Sequence, residues 1–275
     1  MRKYKIGMIQ MDTRGDRDDN LKRIEAFIAQ AKAEGVALIT LPEVMNRMTV
    51  DRTIDTSEPL DGPTITFMKE CAKKYDMWIH CGSIREKQAE GLPYNTTVLL
   101  NPEGETAAIY RKIHLYDVNI PGKVTALESS RNKAGEDVVS VETPMGHLGL
   151  TICYDLRFPE LFRLLSLQGS EIIFVPANFA YATGVAHWET LLRARAIENG
   201  CYIIASAQTG EKREDIRSYG HSLMIDPWGE IIAEIEKDEA MAIATVDLDM
   251  VKRMREELPS LKNRRPDVYR LETVK

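Results

Sequence analysis

In the stretch Gly149-Leu150-Thr151-Ile152-Cys153-Tyr154-Asp155-Leu156-Arg157-Phe158-Pro159-Glu160 a strand gives way to a helix. The apolar, β-leaning run from Leu148 to Ile152 reads as a buried strand. From Pro159 the chain reads as helix, with Leu161, Leu164, Leu165 and Gln168 at helical spacing and Gly169 as the stop. Cys153 sits at the changeover, where a side chain projects from the end of a sheet beside backbone N–H groups able to hold an oxyanion. Most cysteines in proteins are simply small buried hydrophobes. Position alone therefore does not make Cys153 a nucleophile; its neighbours in the fold have to.

Outward from this stretch, the chain opens as β-α-β. Ile6 to Met11 is a buried strand. Asp18 or Asp19 caps a helix with Leu21, Ile24, Phe27, Ile28 and Ala31 on one face, and Gly35 ends it. Val36 to Leu41 is a fully apolar strand that stops at Pro42, and the next residue is Glu43. Segment 46–62 lacks periodicity and reads as a long loop. A helix from Pro63 leads to strands at Trp78 to Ile84, Tyr94 to Leu100 and Thr106 to Arg111, the last two joined by the turn Asn101-Pro102-Glu103-Gly104. Lys112 follows the last of these strands. Segment 113–137 reads as irregular, and the two long loops are the expected walls of a binding site.

Val138 to Glu142 and His147 to Cys153 pair around Thr143-Pro144-Met145-Gly146. Ile172 to Pro176 is another apolar strand, opening into a loop through Asn178, Phe179 and Thr183. His187 to Asn199 reads as a helix with Trp188, Leu191, Leu192 and Ile197 inward. Strands at Tyr202 to Ala207, His221 to Ile225, Glu230 to Glu234 and Ala242 to Val246, then a helix from Leu248 to Leu258, complete the pattern. So many hairpins exclude a singly wound parallel sheet. The expected class is α+β, with two mixed sheets packed face to face and helices outside.

The 275 residues contain no linker, repeat or low-complexity tract, so residues 1–275 are expected to form a single domain. A net charge of −6 argues against a nucleic-acid partner. No run is apolar enough for a signal peptide or a membrane span. Cys71, Cys81, Cys153 and Cys201 lie far apart, with neither zinc-ligand spacing nor a disulfide pattern, which points to the cytoplasm and to no metal.

Glu43, Lys112 and Cys153 stand at three strand ends with complementary chemistry. A thiol needs a base to become a nucleophile, and a nearby ammonium favours the thiolate and stabilises an oxyanion. A histidine base is the alternative. His80 alternates within a strand, and His114, His147, His187 and His221 have no orienting acid in local sequence, so a Cys–His dyad stays open.

Leu41-Pro42-Glu43, Tyr110-Arg111-Lys112-Ile113-His114-Leu115 and Ile152-Cys153-Tyr154-Asp155-Leu156-Arg157-Phe158-Pro159-Glu160 resemble, in order, the signatures of the nitrilase superfamily of carbon–nitrogen hydrolases. The similarity runs from about Lys5 to Tyr269. The resemblance implies a four-layer αββα sandwich and a Glu-Lys-Cys triad at Glu43, Lys112 and Cys153. Glu128 falls on the family's supporting glutamate, and the Tyr154 backbone N–H joins the oxyanion hole. It implies no cofactor and a homodimer, with a tail at about 259–275 packing on the partner subunit. Asn178, Phe179 and Thr183 are the candidate substrate contacts. Arg157 is either a structural ion pair or a substrate contact, while His187, Trp188, Arg193 and Arg195 read as packing or subunit contacts.

Later segments, including Leu191-Leu192-Arg193-Ala194-Arg195-Ala196-Ile197-Glu198, Ala205-Ser206-Ala207-Gln208 and Asp226-Pro227-Trp228-Gly229, resemble the Nit branch. The implied reaction converts a small linear carboxamide to a carboxylate and ammonia through a thioester, with deaminated glutathione as the implied substrate. Alternatives with the same triad are an omega-amidase for 2-oxoglutaramate and an N-carbamoyl amine hydrolase. The alternative outside enzymes is a catalytically idle dimeric scaffold.

Overall fold

A computed structural model of the chain describes residues 2–49, 51, 53–122, 124–213 and 216–274. Val50 and Arg52 of the 46–62 loop, Lys123 of segment 113–137 and Lys275 of the tail lie outside these residues. The chain runs through β1 (Lys3–Gln10), α1 (Arg17–Ala33), β2 (Val36–Thr40), α2 (Pro63–Tyr75), β3 (Trp78–His80), β4 (Ile84–Glu86), β5 (Tyr94–Leu100) and β6 (Thr106–Arg111). It continues through β7 (Asp117–Ile120), β8 (Val124–Leu127), β9 (Ser140–Thr143), β10 (Gly146–Leu150), α3 (Pro159–Leu167), β11 (Ile172–Phe174) and α4 (Tyr181–Asn199). The remaining elements are β12 (Tyr202–Ala205), β13 (Glu211–Arg213), β14 (Ile216–Arg217), β15 (Ser222–Ile225), β16 (Ile231–Ile235), β17 (Ala240–Asp247) and α5 (Leu248–Glu257).

Two mixed sheets result. A seven-stranded sheet has the order β17-β1-β2-β3-β5-β4 with β6 also on β5, and a six-stranded sheet has the order β16-β15-β12-β11-β10-β9. Each has parallel strands at its centre and antiparallel strands outside them. The period-two alternation of the strands separates two apolar layers. Ile6, Met8 and Leu38 face the second sheet and pack with Leu148, Leu150, Ile172 and Phe174. Ile9 and Ile39 point the other way, against Leu21, Ile24 and Ile28 of α1 and Ile65 and Met68 of α2. On the far side of the second sheet, α3 and α4 contribute Leu161, Phe162, Leu165, Trp188 and Leu192. The layers are therefore helix, sheet, sheet, helix, as expected. Among the described residues no helix is long and apolar enough to cross a membrane.

Several local expectations are corrected. The α1 cap is Asp16, whose carboxylate accepts the Asp19 N–H at 2.9 Å; Asp18 and Asp19 occupy the first turn instead, where the helix dipole favours them. The strand expected over Trp78 to Ile84 is two strands, β3 and β4, broken at Cys81–Ser83, where Gly82 has φ +53°. Segment 113–137 is not wholly irregular: β7 and β8 form a hairpin. Its strands alternate exposed residues with half-buried Val118, Ile120, Val124 and Ala126, a period-two apolar face carried on strands of only four residues each, too short to stand out from the surrounding loop. Strand β10 ends at Leu150, so a 3-10 turn over Cys153–Arg157, not the strand, carries Cys153. Helix α4 starts at Tyr181, placing Thr183 in its first turn rather than in a loop. Ile197 faces outward at 43% exposure, and Arg195 is buried in its stead, donating to Leu156 O at 2.8 and 3.0 Å.

A buried polar cluster, His80 with Thr40 and Thr97, interrupts the layer between the sheets. His80 is fully buried, stacks on Phe174 at 4.6 Å and bonds Thr40 Oγ1 at 2.8 Å and Thr97 Oγ1 at 2.9 Å. Burial disfavours its imidazolium and pushes the pKa from 6.5 down to about 3. The unfolded chain takes up this proton below pH 6.5 and the folded chain does not, so the stability supplied by neutral His80 is whole above 6.5 and is lost between 6.5 and about 3. Denaturation midpoints are expected to fall as pH drops from 7 towards 4. In His80→Gln that slope should be shallower by about one proton, roughly 1.4 kcal/mol per pH unit. Parallel slopes in the two proteins would refute the assignment.

Candidate active site

Three backbone devices bring the polar strand ends together. Beyond β2, Val44 turns the chain at φ +53°, and its N–H and that of Met45 bond Ser83 Oγ and Ser83 O, each at 2.9 Å. This straps the Glu43 segment to the break between β3 and β4. Gly82 is needed there, because a Cβ would lie 2.0 Å from Pro42 O and φ is positive. At the end of β6, the Lys112 N–H bonds Asn95 O at 2.8 Å and Lys112 O accepts the Gly135 N–H at 2.8 Å. A Cβ on Gly135 would lie 2.1 Å from Arg111 O.

Cys153 opens its turn at φ +49°, a left-handed conformation that costs a non-glycine residue about 1 kcal/mol or more. Two contacts hold it. The Cys153 N–H donates to Pro176 O at 2.9 Å, and the fully buried Asp155 carboxylate accepts the Ile152 N–H at 2.8 Å. The same carboxylate accepts the Tyr110 hydroxyl at 2.7 Å and the His114 N–H at 3.2 Å, with His114 Nδ1 at 2.8 Å. Asp155 thus ties the turn carrying Cys153 to the strand end carrying Lys112.

At the centre, Lys112 is 2% exposed, with Nζ 3.2 Å from Glu43 Oε1 and 2.8 Å from Glu128 Oε2. Asn95 Nδ2 spans the two carboxylates, at 2.8 Å from Glu43 Oε1 and 3.4 Å from Glu128 Oε1. Glu43 Oε2 accepts the Asn178 N–H at 2.7 Å, and Glu43 O accepts Gln208 Nε2 at 2.9 Å. Glu128 also accepts the Tyr116 N–H at 2.7 Å and Asn132 Nδ2 at 3.1 Å, closing the base of the β7–β8 hairpin over the lysine.

Burial works against the Lys112 ammonium, but Glu128 and Glu43 outweigh it and hold the lysine well above its ordinary range. Burial likewise opposes charge on Glu128, and Lys112 overcomes it, leaving that carboxyl below its ordinary range. At Cys153 the balance is reversed. Burial and then the facing Glu43 carboxylate push the thiol well above its usual range, and neither Lys112 nor the Asn178 N–H prevails against them. The charged groups that act most strongly on the thiol are the Glu43 carboxylate and the Lys112 ammonium. His114 is engaged with Asp155 and stacks on Phe158 at 3.6 Å.

Around the thiol stands an aromatic wall: Tyr116 is edge-on to Tyr154 at 5.0 Å, and Tyr154 is edge-on to Phe158 at 5.5 Å. The Arg157 guanidinium lies over Tyr154 at 5.8 Å and Phe179 at 5.1 Å, near His187 Nδ1 at 3.2 Å, and has no acidic partner among the described residues. The structure brings Asn178 to Glu43 and Phe179 to Arg157. Phe179 also packs on Trp188 at 4.9 Å, while the Thr183 hydroxyl turns back to Ala180 O at 3.2 Å. Asn95, Tyr116 and Asp155 were not singled out by sequence reasoning. For Asn95 a signal existed, an amide at the head of the otherwise apolar-tending strand Tyr94–Leu100.

Comparison with known proteins agrees with this geometry. The carbon-nitrogen hydrolase family profile matches residues 5–256. Human deaminated glutathione amidase is 39% identical over 272 residues, covering 96% of this chain and 83% of that protein. The Caenorhabditis elegans nitrilase and fragile histidine triad fusion protein NitFhit is 39% identical over 271 residues, and this chain spans 62% of its length. The NitFhit crystal structure superposes with a TM-score of 0.93 at 38% identity, over 98% of this chain and 67% of that one. Saccharomyces cerevisiae Nit3, of branch 10 of the nitrilase superfamily, superposes with a TM-score of 0.86 at 30% identity, over 96% of this chain and 97% of that one. The chain belongs to the carbon-nitrogen hydrolase family, within the nitrilase superfamily, and is a hydrolase of carbon–nitrogen bonds.

Proposed function

We propose that this hydrolase is a cysteine amidase that cleaves its substrate through a thioester, with deaminated glutathione as the substrate. The observation that carries the reading is a buried thiol facing Glu43 while Lys112 is held between Glu43 and Glu128. A thiol pushed upward by its surroundings does not rest as thiolate, so a base must take its proton as bonding begins. Glu43 takes that proton while Cys153 Sγ attacks the amide carbonyl. The oxyanion is held by Lys112 Nζ and by the Tyr154 N–H, which lies at the start of the 3-10 turn, where helical N–H groups lack intrahelical acceptors. Glu43 returns the proton to the departing nitrogen, leaving an acyl thioester. It then deprotonates a water that attacks this carbonyl, and the collapse releases carboxylate and restores the thiol. Glu128 keeps Lys112 charged and in place.

The γ-amide of deaminated glutathione is secondary, so the released amine is cysteinylglycine; ammonia leaves only from a primary amide such as 2-oxoglutaramate. Both would yield the same 2-oxoglutaryl thioester, whose far carboxylate suits Arg157, a cation beside the nucleophile turn with no acidic partner among the described residues. Asn178, Phe179 and Thr183 flank this acyl group in the same reading. The exposed Leu258, Val268 and Tyr269 support a homodimer in which the tail at 259–275 packs on the partner subunit.

Steady-state hydrolysis of deaminated glutathione and of 2-oxoglutaramate tests the substrate. A higher kcat/KM for the tripeptide-like amide is expected. Preference for the primary amide would make the protein an omega-amidase, and carbon dioxide release from an N-carbamoyl amine would replace both. Cys153→Ala should lower kcat by about four orders of magnitude or more; undiminished turnover would refute the mechanism. Alkylation of Cys153 by iodoacetamide should rise steadily with pH up to about 9 without a plateau, since burial and Glu43 hold the thiol up. Glu43→Gln should shift that profile to lower pH while abolishing turnover, and a wild-type plateau below pH 8 would contradict the resting thiol. Deleting residues 259–275 should lower the sedimentation coefficient from dimer to monomer; a monomeric full-length chain would overturn the homodimer.

A further inference from the structure

Two buried polar atoms beside the Lys112 cluster have no hydrogen-bond partner among the described residues, Asn95 Oδ1 and the Tyr116 hydroxyl. Asn95 already spends its amide nitrogen on Glu43 and Glu128, which accounts for its orientation. The Tyr116 hydroxyl has no such account. Its backbone is fixed by Glu128 Oε2 at 2.7 Å, and its ring sits edge-on to Tyr154 at 5.0 Å. The hydroxyl itself lies within electrostatic reach of Cys153, Arg157, Tyr154 and Lys112. Neither the ring contact nor the backbone bond uses the oxygen. A phenylalanine would make both, without the unfavourable burial of an unpaired hydroxyl.

We propose that Tyr116 is a specificity residue whose hydroxyl donates a hydrogen bond to an uncharged oxygen on the acyl chain of the substrate. The inference rests on the 2-oxoglutaryl reading given above and deepens it. A chain bonded to Cys153 Sγ and ending with its carboxylate at Arg157 passes the Tyr154 ring, on whose edge Tyr116 lies. A methylene chain leaves the hydroxyl unpaired, whereas an oxo-substituted chain satisfies it. The ligand class selected is therefore amides of oxygenated dicarboxylic acids, and discrimination arises because the wrong substrate strands a buried polar group.

The test compares deaminated glutathione with glutaryl-cysteinylglycine, which carries a methylene in place of the ketone, on wild type and Tyr116→Phe. Wild type is expected to prefer the oxo substrate by about tenfold or more in kcat/KM. Tyr116→Phe should lose about ten- to hundredfold on the oxo substrate and less than about threefold on the glutaryl one, so that the preference collapses. Its thermal midpoint should equal or exceed that of wild type, and its pH profile of kcat should match wild type. Equal losses on both substrates would overturn the proposal, assigning the hydroxyl to the nucleophile or to a bound water. No loss on either would overturn it too. If wild type instead hydrolyses neither compound while a Cys153-dependent amidase activity persists on another amide, the acyl reading falls and this inference falls with it.

Discussion

An ammonium group buried between two carboxylates is the constraint on which the other features of this structure depend. Removing Lys112 from water costs several kcal/mol, and only close, well-directed counter-charges offset that. Glu43 and Glu128 supply them at 3.2 and 2.8 Å. The arrangement is cooperative, because each charged group would be expensive to bury alone. Losing either carboxylate leaves the ammonium with one partner in a dry site; losing the lysine leaves two like charges joined by the Asn95 amide. The site therefore exists only when the ends of β2 and β6 and the base of the β7–β8 hairpin are held in register.

That register is imposed by close backbone approaches and a buried side-chain hydrogen-bond network rather than by apolar packing. Gly82 lets the β3–β4 break close on the Pro42 carbonyl, and Gly135 lets the chain return against Arg111. Asp155 joins the turn that carries Cys153 to Tyr110 and His114. The strained backbone at Cys153 persists because these contacts over-determine it. The two apolar layers then need only keep the sheets at a fixed spacing, which the alternating residues of β1 and β2 do for both layers at once.

Much of this was legible from the chain. Apolar strands with stops at Pro42, Lys112 and Cys153 placed Glu43, Lys112 and Cys153 at sheet ends, and hairpin turns argued for two mixed sheets. What escaped was set by long-range contacts or by weak local pattern. The β7–β8 hairpin alternates with period two, Val118 and Ile120 against Val124 and Ala126, but its strands are only four residues long and lie within a long polar segment. The start of α4 was displaced because Tyr181 to Ala186 carries no strong helical stripe. Ile197 and Arg195 exchanged places because the Leu156 carbonyl of a distant turn offered the guanidinium an acceptor. Asp155 lay within the motif itself, yet its partners come from β6 and its extension, which no local reading connects to it.

The upward-held thiol has a further consequence, for survival rather than for turnover. Peroxides attack thiolates, and cysteines that rest ionised are drawn toward sulfenic and then irreversible sulfinic acids. At Cys153 burial, and after it the facing Glu43 carboxylate, oppose the thiolate. Reactivity is thereby coupled to the arrival of an acyl group, and an oxidant meeting the empty site finds a poor nucleophile.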